Sequence, residues 1–139
     1  MNILGKHLSA VLAVLVILCI GLGCNLKSDS DWKQELHGKK LTMAKTSGSI
    51  SDKVDIWFCG SGEYARKTQF SGYSGGGYGD FSMANENVEL GNWGVESGIL
   101  ILQSEKGETT EYSISQGMDN NVIKLNGTGY LVTTHNECR

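Results

Sequence analysis

The chain contains no proline, so the turns between its secondary-structure elements must rely on other residues, above all on its 19 glycines. It also has no excess of basic residues, because 12 Lys and Arg stand against 15 Asp and Glu, for a formal net charge of −3. Nucleic-acid-binding proteins usually carry a basic patch. This balance argues against nucleic acid as a partner.

The N-terminal segment has the pattern of a secretory signal. A short leader contains Lys6 as its one strongly basic side chain, and an apolar run from Val11 to Ile20 follows it. A basic leader, about a dozen apolar residues and a small-residue junction are typical of export signals. A spanning helix needs about 20 apolar residues. A permanent N-terminal anchor helix is the alternative, because the run can be extended over residues 8–22.

The junction after this run indicates how the chain is anchored. Residues 19–25 read CIGLGCN, with the small residue Gly23 directly before Cys24. This resembles the lipobox of bacterial lipoproteins, and the resemblance implies that Cys24 is the lipidated first residue of the mature protein. Its acyl chains would hold the domain to a membrane of the cell envelope. Asn25 favours the outer membrane, facing the periplasm, because inner-membrane lipoproteins typically have Asp there.

The predicted organisation is a signal peptide over residues 1–23, a polar tether over 24–30 and one domain over 31–139. The mature chain is long enough for one domain and too short for two. Loss of Lys6 with the leader changes the formal charge from −3 to −4. This mild acidity is compatible with a basic envelope protein as partner.

The remaining cysteines, Cys59 and Cys138, predict a disulfide. Two leftover cysteines in a small exported domain usually pair, and this pair would close a loop of about 80 residues, worth on the order of 4 kcal/mol. The alternative is a metal site that combines Cys59 and Cys138 with His37 and His135. Its spacing matches no zinc pattern well, so we predict no metal site.

The mature chain reads as an all-β domain. Asp31 and Gln34 resemble a capping box that opens one helical turn, which ends before Gly38. Alternation of apolar and polar residues indicates half-buried strands, and Lys-Gly and Asn-Gly pairs mark tight hairpins. The predicted strands are residues 41–44, 54–59, 64–70, 91–95, 99–103, 109–115, 122–125 and 129–134. Eight or nine short strands with brief connections predict an antiparallel meander closed into a barrel.

The helical turn at Leu36-His37-Gly38, the first strand after it and the segment GNWGV at residues 91–95 resemble small lipocalin-like bacterial lipoproteins. The resemblance implies a barrel of about eight strands that holds a small apolar ligand or an envelope component. Lipocalins place a tryptophan near the start of the first strand, at the barrel base. Here Gly38 is followed by two lysines, so Trp32 or Trp93 would take that place.

The glycine-rich segment at residues 71–79 is the strongest candidate binding element. Residues 72–76, GYSGG, match the G-x-S-x-G elbow of α/β hydrolases, but that motif needs a following helix and a wound α/β scaffold, which a domain of this size and pattern does not offer. We interpret the segment as a binding loop in which Tyr73, Ser74 and Tyr78 provide contact surface on flexible backbone. An ordinary hairpin loop is the alternative.

Two functional hypotheses follow from these patterns. The first is a lipid-anchored binding module whose barrel holds a small apolar ligand in an interior cavity. The second is a protein-interaction or inhibitor domain with a filled core, similar in size, export signal and barrel class to periplasmic lysozyme-inhibitor lipoproteins. No catalytic constellation, cofactor motif or metal site is predicted, so we expect the chain not to be an enzyme.

Overall fold

The computed structural model describes residues 26–76 and 79–137, with the backbone alone over residues 73–76 and 79–83. The chain forms one short helix, α1 (Asp29–Leu36), followed by eight strands. The strands are β1 (Lys39–Ser47), β2 (Ile50–Phe58), β3 (Glu63–Gly76), β4 (Gly79–Glu96), β5 (Ile99–Ser104), β6 (Thr109–Gln116), β7 (Val122–Leu125) and β8 (Thr128–Thr134). No described helix is long and apolar enough to cross a membrane.

The eight strands form a closed antiparallel barrel in which every strand pairs with its neighbours in the sequence and β8 returns to β1. The predicted fold class is therefore confirmed. The hairpins use the predicted turn residues: Asn126 and Gly127 have φ values of 49° and 80°, and Gly107 has a φ of 85°. Positive φ at these positions matches the twist of the strands that the turns join.

The interior of the barrel is filled by apolar side chains. Period-two alternation turns one face of each strand inward, as in β5, where Leu100 and Leu102 are fully buried. The buried apolar residues are Trp32, Leu36, Leu41, Ile56, Phe58, Tyr64, Val95, Leu100, Leu102, Ile114, Ile123, Leu125 and Tyr130. Burial of these side chains is the main term that stabilises the closed barrel.

The helix α1 covers one end of the barrel and buries Trp32 and Leu36 there. Its capping box joins Ser28 and Asp31, three residues earlier than the predicted pair Asp31 and Gln34. Consequently α1 includes residues 29 and 30, which the sequence assigned to the tether. Asp29 ties this end to the β4–β5 turn, because its carboxylate accepts the backbone N–H groups of Ser97 and Gly98, both at 2.8 Å.

Both tryptophans that the sequence offered for the barrel base lie at the α1 end. Trp32 is buried under the helix. Trp93 packs edge-on against Phe58, with ring centroids 5.1 Å apart, and its indole N–H donates to the carbonyl of Cys59 at 3.0 Å. Both tryptophans therefore pack at this end of the barrel.

Candidate binding site

Strands β1 to β4 extend beyond the region in which the barrel is closed. β5 pairs with β4 only over Gly91–Glu96, and β8 pairs with β1 only over Lys39–Thr42. Beyond these limits β1 to β4 pair only with one another and project from the barrel as a four-stranded sheet. We call this sheet the arm; it comprises residues 43–47, 50–54, 65–76 and 79–90. On β4 it extends roughly 35 Å along the strand, at about 3.3 Å per residue.

The arm leaves the barrel at the end opposite α1. β1, β3 and β5 begin near the helix and run away from it, so the β1–β2 turn, the end of β3 at Gly76 and the start of β4 at Gly79 lie at the far end. The described chain begins at Leu26, close to the helix, where Lys27 contacts Glu35 and donates to Gln116 at 2.7 Å. Leu26 and the arm therefore lie at opposite ends of the described part of the chain.

The segment that the sequence predicts as a flexible loop is largely strand. β3 continues to Gly76, with Tyr73 paired to Ser82 and Ser74 to Phe81. The loop prediction over residues 71–79 is corrected on this point. The strand continues because the β3–β4 register set nearer the barrel gives each further residue a backbone partner. Glycine and serine can form these backbone hydrogen bonds even where no side chain packs in the core. Ser74 thus lies on a strand, not on the strand-to-helix turn of a hydrolase elbow. Tyr78 lies outside the described residues.

A polar cluster marks the base of the arm. Arg66 on β3 donates to Glu89 on β4 at 2.7 Å and to the hydroxyl of Tyr112 on β6 at 2.9 Å. Tyr64 donates its hydroxyl proton to the other carboxylate oxygen of Glu89. Burial, together with the neighbouring Glu89 carboxylate, raises the pKa of Tyr64 well above its ordinary value, so this phenol stays protonated as a donor.

This cluster connects the arm, through β3 and β4, to β6 in the closed barrel. Arg66 and Glu89 are 21% and 17% exposed, and the residues below them on the same face are apolar and buried. Because the guanidinium reaches Tyr112 across the barrel mouth, the direction of β3 and β4 is coupled to β6. The sequence pattern gave no signal for this arrangement, since its members are far apart in the chain.

Both faces of the arm carry exposed apolar side chains. On the inner face, which continues the barrel lining, Ile50 and Phe70 are 44% and 39% exposed. On the outer face, Val88 and Leu90 are 56% and 49% exposed. Pairs of exposed large apolar side chains on a projecting sheet are typical of interaction surfaces rather than of scattered surface hydrophobes.

A groove runs between the free edge of β4 and the β5–β6 turn, with a volume of about 230 Å³. It is lined by Asn87, Val88, Glu89 and Leu90 of β4 and by Ser104, Glu105, Lys106 and Glu108 of the turn. A second depression of about 260 Å³ continues from it past Leu90 and Glu105 to Glu63 and Glu137. The sequence contained a signal for this part of β4, since Val88 and Leu90 alternate with Glu89, but the prediction began the strand at residue 91.

A separate depression of about 470 Å³ lies beside α1. It is lined by Lys33, Gln34, His37, Gly60, Gly62, Trp93 and Gly94. His37 lies against the backbone of Gly60 so closely that a Cβ there would fall 2.0 Å from its Nε2 atom. The volume is within the range of about 300–1,000 Å³ of small-molecule sites.

The predicted cysteine sites fall mainly at the ends of the chain. Cys24 and Cys138 lie outside the described residues, so lipidation and the disulfide remain predictions. Cys59 follows β2 directly and lines the same depression as Glu137, the neighbour of Cys138. Within residues 26–76 and 79–137 no three His, Cys, Asp or Glu side chains come together in a way that would hold a metal ion.

Comparison with protein-family models, with curated proteins and with solved structures finds no match to this chain.

Proposed function

We propose that this chain is an exported, lipid-anchored module that binds a protein partner in the cell envelope through the arm. The observation that carries the proposal is the arm itself: a four-stranded sheet extends beyond the closed barrel and exposes apolar side chains on both faces. Such a sheet exposes apolar surface and backbone groups to water, a cost that binding a partner would recover.

The filled barrel supports a protein partner over a ligand held inside the barrel. Thirteen buried apolar residues occupy the interior, and close-packed cores leave little room for a guest. The interaction or inhibitor hypothesis therefore has more support than the interior-cavity hypothesis. For an inhibitor of the lysozyme-inhibitor type, the arm is the element long enough to reach into an enzyme cleft.

The position of the N-terminus fits anchoring at Cys24. Only one residue separates Cys24 from Leu26, and Lys27 is held to the barrel at the α1 end. A lipid on Cys24 would therefore place α1 towards the membrane and the arm away from it, in reach of proteins in the periplasm. With Asn25 after the cysteine, we propose the outer membrane as the site of the anchor.

Site-specific photo-cross-linking in cells tests the proposal. The full chain carries p-benzoyl-phenylalanine at Ala84, an exposed outer-face residue of the arm, or at Glu111, an exposed residue on the outside of β6. We expect a protein adduct from position 84 and none from position 111. Adducts from both positions in equal yield, or from neither, would contradict binding through the arm.

The inhibitor version has its own test. Purified mature domain is added to hen lysozyme acting on a suspension of bacterial cell walls, and clearing of the suspension is followed. An inhibitor that acts through the arm would slow clearing. Replacement of residues 73–82 by an Asn-Gly turn should then return clearing to its uninhibited rate. Unchanged clearing would mean that the partner is not a lysozyme of this type.

A small apolar ligand is the second candidate, and the depression beside α1 is the observation that favours it. Its size suits a small molecule, and the indole of Trp93 with the glycines around it offers an apolar wall. Native mass spectrometry of domain isolated from the periplasm tests this. A mass excess that disappears on denaturation supports a ligand, and an apo mass argues against it.

A further inference from the structure

The free edge of β4 carries unpaired backbone groups in a regular row. The carbonyl of Leu90 accepts the N–H of Glu105 at 2.9 Å, so the even-numbered residues of β4 direct their backbone groups away from β3. Val88, Glu86 and Ala84 continue this row past the point where β5 pairing ends. No described strand pairs with them on that side. Successive pairs of donors and acceptors at this spacing form a template for another strand.

The side chains beside this edge would fit an apolar residue of such a strand. Val88 and Leu90 point to the outer face next to the groove, and both are about half exposed. A strand added to β4 would place alternate side chains over them, because side chains alternate with a period of two. The edge thus offers backbone pairing and a recognition surface together.

The charge along the edge selects the partner. Glu63, Glu105, Glu108 and Glu137 line the two depressions beside Leu90, and we call them the acidic strip. None of these four forms an ion pair with a described residue. Among the described residues, Lys106 is the one basic side chain that lines either depression. An occupant with lysine or arginine side chains would therefore be attracted and oriented.

We propose that the edge of β4 between Ala84 and Val88 captures an extended basic segment of the partner protein as an added strand. This inference rests on the proposed function and specifies how the partner is recognised. Main-chain hydrogen bonds to the outward groups supply affinity, and the acidic strip with Leu90 supplies selectivity for alternating basic and apolar side chains.

A second copy of the chain is a poorer occupant than a basic partner. Each mature copy carries a predicted net charge of −4, and β4 of a second copy, residues 79–96, contains no lysine or arginine that could meet the acidic strip. Like charges brought together at an interface disfavour the complex. The edge of β1 is also free beyond Thr42, but it is only five residues long and carries Lys45.

The variant Val88→Pro tests the edge. Proline removes the outward N–H of residue 88 and is tolerated where that N–H faces away from the sheet, so pairing with β3 is kept. With the photoreactive residue at position 84, we expect Val88→Pro to lower adduct yield about tenfold, the effect of losing a hydrogen bond at a desolvated interface. The matched control Val88→Thr keeps the N–H and should stay within about twofold of the parent.

Amide exchange of the parent domain gives a second readout, which does not depend on any variant folding correctly. The cross-linked segment of the partner, identified by mass spectrometry, is synthesised as a peptide and added to the parent domain. We expect exchange at Ala84, Glu86 and Val88 to slow on binding, while Asn85 and Asn87, already paired with β3, stay unchanged. The paired change Glu105→Gln and Glu108→Gln should weaken binding and reduce its dependence on salt.

The outcomes separate this inference from the proposed function. An adduct that survives Val88→Pro, or protection without alternation, would mean that the partner binds a face of the arm, which overturns strand addition and leaves the proposed function standing. An adduct between two copies, or a cross-linked segment without Lys or Arg, would overturn the basic partner. Absence of any adduct from the parent at position 84 would contradict the proposed function itself.

Discussion

Arg66 and Glu89 face each other across the β3–β4 hairpin, and their charged groups meet 2.7 Å apart at the level where β4 loses its pairing with β5. The pair lies above an apolar core and below the free sheet of the arm. Tyr64 and Tyr112 take up further hydrogen bonds of the same two side chains. The pair therefore links the stable barrel to the element that we propose binds a partner.

Breaking this pair should destabilise the domain. In Glu89→Ala the guanidinium of Arg66 and the hydroxyl of Tyr64 lose their acceptor while both remain largely buried, so we expect a loss of about 2–3 kcal/mol in the free energy of unfolding. Urea denaturation followed by tryptophan fluorescence measures it. The matched control is Glu86→Ala, which removes the exposed partner of Lys67 in the same strand and should leave the urea midpoint almost unchanged. Equal effects of the two changes would contradict the assigned role of Arg66.

Two glycines of β4 should respond differently to alanine. A Cβ at Gly91 would fall 2.0 Å from the carbonyl oxygen of Gln103, a backbone atom that cannot turn aside, whereas a Cβ at Gly94 meets nothing within 4 Å. We expect Gly91→Ala to cost about 2 kcal/mol or more through overpacking and Gly94→Ala to change stability by less than about 0.5 kcal/mol. Thermal melts of both variants decide the point. A tolerated Gly91→Ala would mean that β4 and β5 are farther apart than the structure has them.

The stability of the domain should depend on the ionisation of Asp55. Burial opposes the charged form of this carboxylate, but the hydroxyl of Thr42 and the ammonium groups of Lys53 and Lys40 outweigh it and hold the pKa of Asp55 below its ordinary value of 3.8. A folded-state pKa below the unfolded one contributes stability that is present above 3.8 and is lost as the pH falls through the folded value.

The variant Asp55→Asn removes this contribution. We expect the parent to be more stable than Asp55→Asn near neutral pH and the difference to narrow as the solution becomes more acidic than 3.8. Urea midpoints across the acid range measure it. Asp119→Asn, in the exposed β6–β7 connection, controls for the change in net charge. A difference between parent and Asp55→Asn that stays constant with pH would refute the assignment.

The predicted disulfide has a mass and a stability signature. Cys59 and Glu137 line the same depression, and the nearness of Glu137, the residue before Cys138, supports a bond from Cys59 to Cys138. Cys24 is replaced in every sample. We expect the domain isolated from the periplasm to weigh two hydrogens less than the dithiol form, and we expect addition of a reductant to lower its urea midpoint. A loop of about 80 residues predicts a loss of up to about 4 kcal/mol. Cys59→Ser with Cys138→Ser should be insensitive to reductant. Free thiols in the oxidised preparation would disprove the bond.

The sequence alone determined the class of fold and most of the strands. Residues 99–103, 109–115, 122–125 and 129–134 were predicted as strands, and the structure places β5 to β8 within one residue of these bounds. The signal is strong there because each strand has one face in the core, so apolar and polar residues alternate, and because Asn126-Gly127 can adopt the positive φ of a tight turn.

The arm was decided only by the tertiary structure. Residues 71–87 are rich in Gly, Ser and Asn, so their sequence lacks the apolar-polar alternation that marks a strand. Residues 71–76 and 79–87 are strands because β3 and β4 pair residue for residue, with Phe70 opposite Asn85 and Thr68 opposite Asn87. Pairing of this kind depends on the register of the partner strand, which the composition of the segment does not encode.

Burial of polar side chains was likewise a tertiary outcome. Asp55 lies on the outer face of β2, where alternation predicts an exposed residue, yet Lys40, Lys53 and Thr42 from the neighbouring positions cover it. Arg66, Glu89 and Tyr112 come from three strands and meet only because the barrel closes. Local pattern determined which segments are strands with a buried face, and the closure of the barrel decided which polar groups meet and which strand edge is left free.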